Sequence, residues 1–213
     1  MRLLLPRLNQ VILLIIFAEF MFATGTAIVA PIFAVFVLEN VAGAALTVVG
    51  FATSIYWITK SILQLPIARY LDRNHGEIDD YYSMLAGTAL VTTGVFAYYL
   101  VTEVWHIYAL QVLIAVGDAF VVPPFYAIFT RHIDPESTGF EWSMRSSFSL
   151  GAGSAFGGAL SGIIAVAVGT RATFLFNGAF MAIGFLVLFL LRPYIRPKAP
   201  QPVARVFIEQ KRH

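Results

Sequence analysis

The chain has no cysteine among its 213 residues, which excludes disulfides, thiolate metal sites and thiol nucleophiles. Histidine is sparse, and His75, His106, His132 and His213 are too scattered to form a metal-ligand spacing. We therefore expect neither a metal nor a cofactor. Charge is scarce as well: 12% of residues are charged, where a water-soluble domain carries about a quarter. No polar stretch is long enough to make a soluble domain. No basic run is interleaved with exposed aromatics, so the net charge of +2 and the pI near 9.0 do not indicate nucleic acid.

Apolar residues are abundant. They make up 59% of the chain, and the mean hydropathy is +0.78. They gather in six stretches, roughly 11–38, 46–70, 82–101, 107–130, 146–168 and 172–191. A helix of about 20 residues crosses the hydrocarbon core. Only structures that satisfy their own backbone groups survive there. The fold class is therefore an all-α polytopic membrane protein with six transmembrane helices. The expected organisation is a short N-terminus (1–10), a six-helix domain (11–191) and a basic, proline-rich tail (192–213). Arg2 and Arg7 ahead of an apolar run resemble a signal peptide. The run continues through Pro31 to Leu38, beyond the roughly 7–15 residues of a signal core, so an uncleaved first span is expected.

The bases sort between alternate connectors. One side collects Arg2, Arg7, Arg69, Arg73, Arg131, Arg145 and the tail bases, whereas the other has only Arg171. Lys60 lies within a span. The positive-inside rule then places both termini in the cytoplasm of a multi-pass protein of the plasma or inner membrane. Tyr81, Tyr82, Tyr98, Tyr99, Trp105, Trp142 and Tyr194 sit at span edges, as an interfacial aromatic belt would.

The first and fourth spans share a local pattern, Pro31-Ile32-Phe33-Ala34-Val35-Phe36 and Pro124-Phe125-Tyr126-Ala127-Ile128-Phe129. Leu85-Ala86-Gly87 and Phe176-Asn177-Gly178 open the third and sixth. A unit of three spans is odd, so two such units (11–101 and 107–191) would lie in opposite orientation. Inverted repeats of this kind build many secondary transporters.

Four segments carry a family resemblance. Ala68-Arg69-Tyr70-Leu71-Asp72-Arg73-Asn74-His75-Gly76-Glu77 resembles the loop signature between helices two and three of the major facilitator superfamily. Alanine stands for the first glycine, one residue is inserted, and Glu77 replaces a base. Gln111 to Ala119 resembles that family's fourth-helix motif, with glutamine for arginine. Gly153-Ser154-Ala155-Phe156-Gly157-Gly158 resembles its antiporter signature, with serine for proline. Glu19 stands where some drug–proton antiporters of the family carry a first-span acid. The resemblance covers about residues 10–192 and implies half of the usual twelve-span fold. It also implies a gating loop of Asp72, Arg73, Gly76, Glu141 and Arg145. In it, Asp72 would meet a helix start in the other half and Arg73 would pair with Asp134, Glu136 or Glu141.

Charges inside spans are costly and are candidates for function. Glu19 and Asp118 are candidate proton carriers, and Lys60 is a candidate partner for either. Gln64, Gln111 and Asn177 are further polar candidates for a substrate or coupling site. Gly151, Gly153, Gly157, Gly158 and Gly162 would give the fifth span a smooth face for close helix approach. Pro31, Pro66, Pro123 and Pro124 would kink or interrupt their helices.

The expected function is a transporter moving a small solute of unspecified identity by alternating access, assembled as a homodimer and coupled to protons. An accessory membrane subunit, or one half of a split transporter, remains the alternative. No paired catalytic constellation and no selectivity-filter motif occur, so an intramembrane enzyme or a channel is not expected.

Overall fold

The computed structural model describes residues 9–73 and 76–196. Arg2, Arg7, Asn74, His75 and the tail from residue 197 lie outside them. Six helices are long and apolar enough to cross a bilayer: α1 (Gln10–Asn40), α2 (Leu46–Asp72), α3 (Ile78–Leu100), α4 (Val104–His132), α5 (Thr138–Val168) and α6 (Thr173–Tyr194).

Each helix outruns the apolar stretch that announced it, because polar residues at the ends still find helical partners. The largest difference lies between α4 and α5. A connector over Arg131–Arg145 was expected, but α4 runs to His132 and α5 starts at Thr138. Glu141 and Arg145 therefore sit on a helix rather than in a loop. Glu141 is held there by the Ser137 hydroxyl and, more distantly, the Asp134 N–H, while Trp142 lies 4.7 Å from Phe129, ring centre to ring centre.

Of the four prolines expected to disturb helices, Pro31 does so, leaving a short 3-10 turn over Ala30–Ile32. Pro66, Pro123 and Pro124 lie inside continuous helix. The second irregularity had no sequence signal. Residues Arg145–Ala152 of α5 form a π-helix, a wide turn found often at functional sites.

The connectors gather at two ends. At one, Ala42 N–H donates to Thr102 O, and Arg171 donates to the carbonyls of Asn40 and Tyr99, so the only lysine or arginine of that end among the described residues staples three connectors. At the other, the Tyr194 hydroxyl meets Gln10, and Glu77 N–H donates to Arg196 O. The helices thus alternate in direction, with residues 10 and 194 at the same end, called here the terminal end.

Packing has a regular plan. Helix α1 lies against α6 and α5, while α4 lies against α3 and α2; α3 and α6 also meet. Glycines set the closest approaches. A Cβ on Gly87 would sit 2.5 Å from the Gly117 carbonyl oxygen, and one on Gly117 2.8 Å from that of Gly87. Gly153 and Gly157 press α5 against the backbone of α1 at Phe20 and Thr24. Gly158 and Gly162 face open space, so only part of the expected smooth face packs within this bundle. Within an apolar 18-residue stretch of each helix, only 11% and 17% of residues are buried in α2 and α5, against 39–44% in the other four. Two of the expected interfacial tyrosines, Tyr81 and Tyr98, are core residues instead, 2% and 3% exposed.

These contacts predict opposite outcomes at adjacent glycines. Gly157→Ala should destabilise the bundle by about 1–3 kcal/mol, because the methyl overpacks against α1. Gly158→Ala should be neutral or stabilising by up to about 1 kcal/mol, because alanine is the better helix former. Thermal unfolding in detergent would measure both, and equal midpoints would contradict the packing described.

Candidate functional site

A cavity of about 590 Å³ opens between α1, α2, α3, α4 and α6. Its wall is mostly aromatic and aliphatic, with Phe22 and Phe33 from α1, Trp57 from α2, Tyr98 from α3 and Phe174 from α6. Hydroxyls of Thr26, Thr53 and Thr88 punctuate it. Among the polar candidates read from the sequence, Gln111, Asp118 and Asn177 line this cavity. The Asn177 side chain is buried, and its Oδ1 has no partner among the described residues.

Asp118 is the one carboxylate of the lining. Its Oδ2 accepts a hydrogen bond from the Tyr56 hydroxyl and lies 3.4 Å from Lys60 Nζ. Lys60 Nζ also donates to Tyr56 at 3.1 Å and stands 5.2 Å above the Trp57 ring and 5.4 Å above that of Tyr56. Of the two pairings open to Lys60, the structure thus forms that with Asp118 and not that with Glu19. Tyr56 was missed in the sequence. Its signal is spacing: it lies one turn before Lys60, hence on the same helix face. Gln64, one turn after Lys60, is half-buried and outside the lining.

Glu19 is occupied elsewhere. On α1, one turn closer to the terminal end than the first lining residue Phe22, its Oε1 accepts from Arg145 of α5. The Arg145 guanidinium carbon stands 5.0–5.9 Å from the ring centres of Phe125, Tyr126, Phe129 and Trp142. The rings let a guanidinium lie at this depth by exchanging water for π-electron density. Both side chains are 12% exposed, and Glu19 Oε2 and Arg145 Nε have no hydrogen-bond partner among the described residues. Arg145 also opens the π-helix, and Ser149 within it donates to Ile16 O of α1.

The expected gating loop is divided by the structure. Asp72 and Arg73 close α2 on an exposed turn, while Gly76 is buried and its carbonyl accepts from Arg131 at 3.2 Å. Glu141 satisfies the α4–α5 turn, and Arg145 has turned inward. The strong contacts here involve residues the sequence reading did not single out as a site. Arg131 pairs with buried Asp80 of α3. Glu77 lies 3.6 Å from His132 and accepts from Arg196 N–H at 2.9 Å, which ties the segment after α6 to the α2–α3 turn.

The comparisons with known proteins agree with this architecture. Residues 15–211 match the family model described as Major Facilitator Superfamily. No curated protein matches the sequence. Among solved structures, the chain is similar to an in meso crystal structure of the POT family transporter PepTSo, with a TM-score of 0.69 and 17% identity. That likeness is one of fold. It covers 92% of this chain and 40% of the other, so the chain spans less than half the length of that relative.

The Glu19–Arg145 geometry predicts a large single-mutant effect. Arg145→Leu leaves a carboxylate buried without its cation and should cost about 3–5 kcal/mol. Combining it with Glu19→Gln should recover much of that loss. Chemical unfolding in detergent would show it, and a double variant no more stable than Arg145→Leu would contradict the pairing.

Proposed function

The chain belongs to the Major Facilitator Superfamily, and we propose that it carries a small solute across a membrane by alternating access, two copies together forming the translocation path. The observation that carries this reading is the cavity: a wet-sized, largely apolar hollow with a few polar groups, walled by five of the six helices. Solute sites in secondary transporters lie between two bundles near the bilayer midplane. Asp118, near the middle of α4, fits that depth.

The exposed faces of α2 and α5 support a second bundle. They present Gly50, Thr53, Ser54 and Ser61, and Gly151, Ser154, Gly158 and Gly162. Small and hydroxylated faces are the surfaces on which membrane helices associate. A second copy would bring a matching pair of such faces. The packing plan supports an inverted repeat in the same way. Exchanging α1, α2, α3 for α4, α5, α6 turns the α1–α6 and α1–α5 contacts into the observed α4–α3 and α4–α2 contacts. The α3–α6 contact maps onto itself.

We assign both termini to the cytoplasm, on the bias of bases toward that end. The Arg131–Asp80 and Glu77–His132 contacts then lie at the cytoplasmic mouth, where they would hold the α2–α3 and α4–α5 turns together in one access state. Proton coupling would use Glu19, whose release from Arg145 on protonation would loosen α1 from the π-helical part of α5, and Asp118, which faces the cavity.

Native mass spectrometry of the protein in lipid nanodiscs should show a dimer, and a strict monomer would remove the second wall of the path. In proteoliposomes that accumulate solute under a proton gradient, Glu19→Gln should abolish the pH dependence of uptake. An unchanged pH profile would remove Glu19 from the coupling.

A further inference from the structure

We infer that the cavity is built to bind an organic monocation, an amine or quaternary ammonium on an aromatic or aliphatic body, through Asp118. This rests on the reading of the cavity as the solute site and adds the charge and class of the solute. Three observations carry it. The lining holds one carboxylate and no cation, since Lys60 stands outside the lining and Arg145 is enclosed by rings toward the terminal end. The two oxygens of Asp118 are used unequally: Oδ2 takes both Tyr56 and Lys60, while Oδ1 has no hydrogen-bond partner among the described residues and the side chain is 26% exposed. Finally, the protein already places an ammonium in this niche. Lys60 Nζ sits between the carboxylate and the faces of Tyr56 and Trp57, the combination of anion and π-face that recognises ammonium groups.

Lys60 is thus a tethered version of the ligand's head group, and it competes with the ligand for the charge of Asp118. A solute cation would approach Oδ1 from the cavity, with Trp57 and Phe33 against its body. An anion would meet a carboxylate with no lining base to offset it. A zwitterion would find a place for its ammonium and none for its carboxylate.

Competition by Lys60 gives the proposal a signature with two signs. Phenylpropyl trimethylammonium and phenylpropane sulfonate share a tail and differ in charge, and both can be titrated calorimetrically against the chain in nanodiscs, with empty nanodiscs subtracted. The ammonium should bind saturably and the sulfonate should not. Asp118→Asn should weaken ammonium binding by about tenfold or more, whereas Lys60→Gln should tighten it by about threefold to tenfold as the carboxylate is freed. If Asp118→Asn fails to fold, the Lys60→Gln arm decides alone, and unchanged or weaker binding there overturns the proposal. It is overturned equally by absent ammonium binding, by equal affinity in folded Asp118→Asn, or by sulfonate binding as well as ammonium. Ammonium binding without uptake in proteoliposomes would remove the transport reading and leave the site. Uptake of another solute without ammonium binding would do the reverse.

Discussion

The absence of water from the hydrocarbon core governs this protein. A charge in a span must find an opposite charge, an aromatic face or a wet cavity inside the bundle, and each deeply placed charge here does. Glu19 and Arg145 join α1 to α5, and Lys60 and Asp118 join α2 to α4. Near the terminal end, Asp80 and Arg131 join α3 to α4. The pairs are interhelical, so the need to neutralise charge also fixes which helices lie side by side. Aromatic rings complete the solvation where carboxylates run out, around Arg145 and beside Lys60.

Close backbone approach supplies the remaining cohesion. In lipid, apolar side chains gain little by leaving the solvent for one another, and helices adhere by dense contact. Gly87 and Gly117 bring α3 and α4 together, Gly157 brings α5 onto α1, and Gly25 and Gly184 seat α1 against α6. Each bundle-forming contact of α1 has a counterpart on α4. The two most weakly buried helices, α2 and α5, occupy equivalent positions in that plan. Their uncovered glycine and hydroxyl faces are the surfaces on which we propose that a second bundle docks.

The two charge pairs differ in what they can do. Lys60–Asp118 borders the cavity, with one carboxylate oxygen left open, which is the feature our proposal of a ligand cation rests on. Glu19–Arg145 is closed off from the cavity by a turn of α1 and joins a regular helix to a π-helical one. Breaking it changes helix contacts rather than ligand contacts. In the proposed mechanism the solute site and the conformational latch are thus separate groups within one small bundle.

Much of the architecture was legible in the chain alone. Six spans follow from apolar run length, and alternation of the connectors from where arginines fall, because both depend on transfer free energies that each residue carries wherever it lies. The candidate site was legible in part: Glu19, Lys60, Asp118, Gln111 and Asn177 stand out because polar groups in apolar runs are costly. Which of them share a cavity was not legible. Glu19 to Arg145 spans 126 residues, Tyr56 to Asp118 spans 62, and no local pattern encodes either pairing. Arg145 read as a connector base because hydropathy registers its charge and not the four rings that solvate it. Asp80, Arg131 and Glu77 passed for loop charges because hydropathy does not register the partner each finds on another element. Composition and local sequence determined that the chain crosses a membrane six times and which residues are costly there. Only the tertiary structure decided which costs cancel against each other, since a charge pair is a property of distance and shared burial.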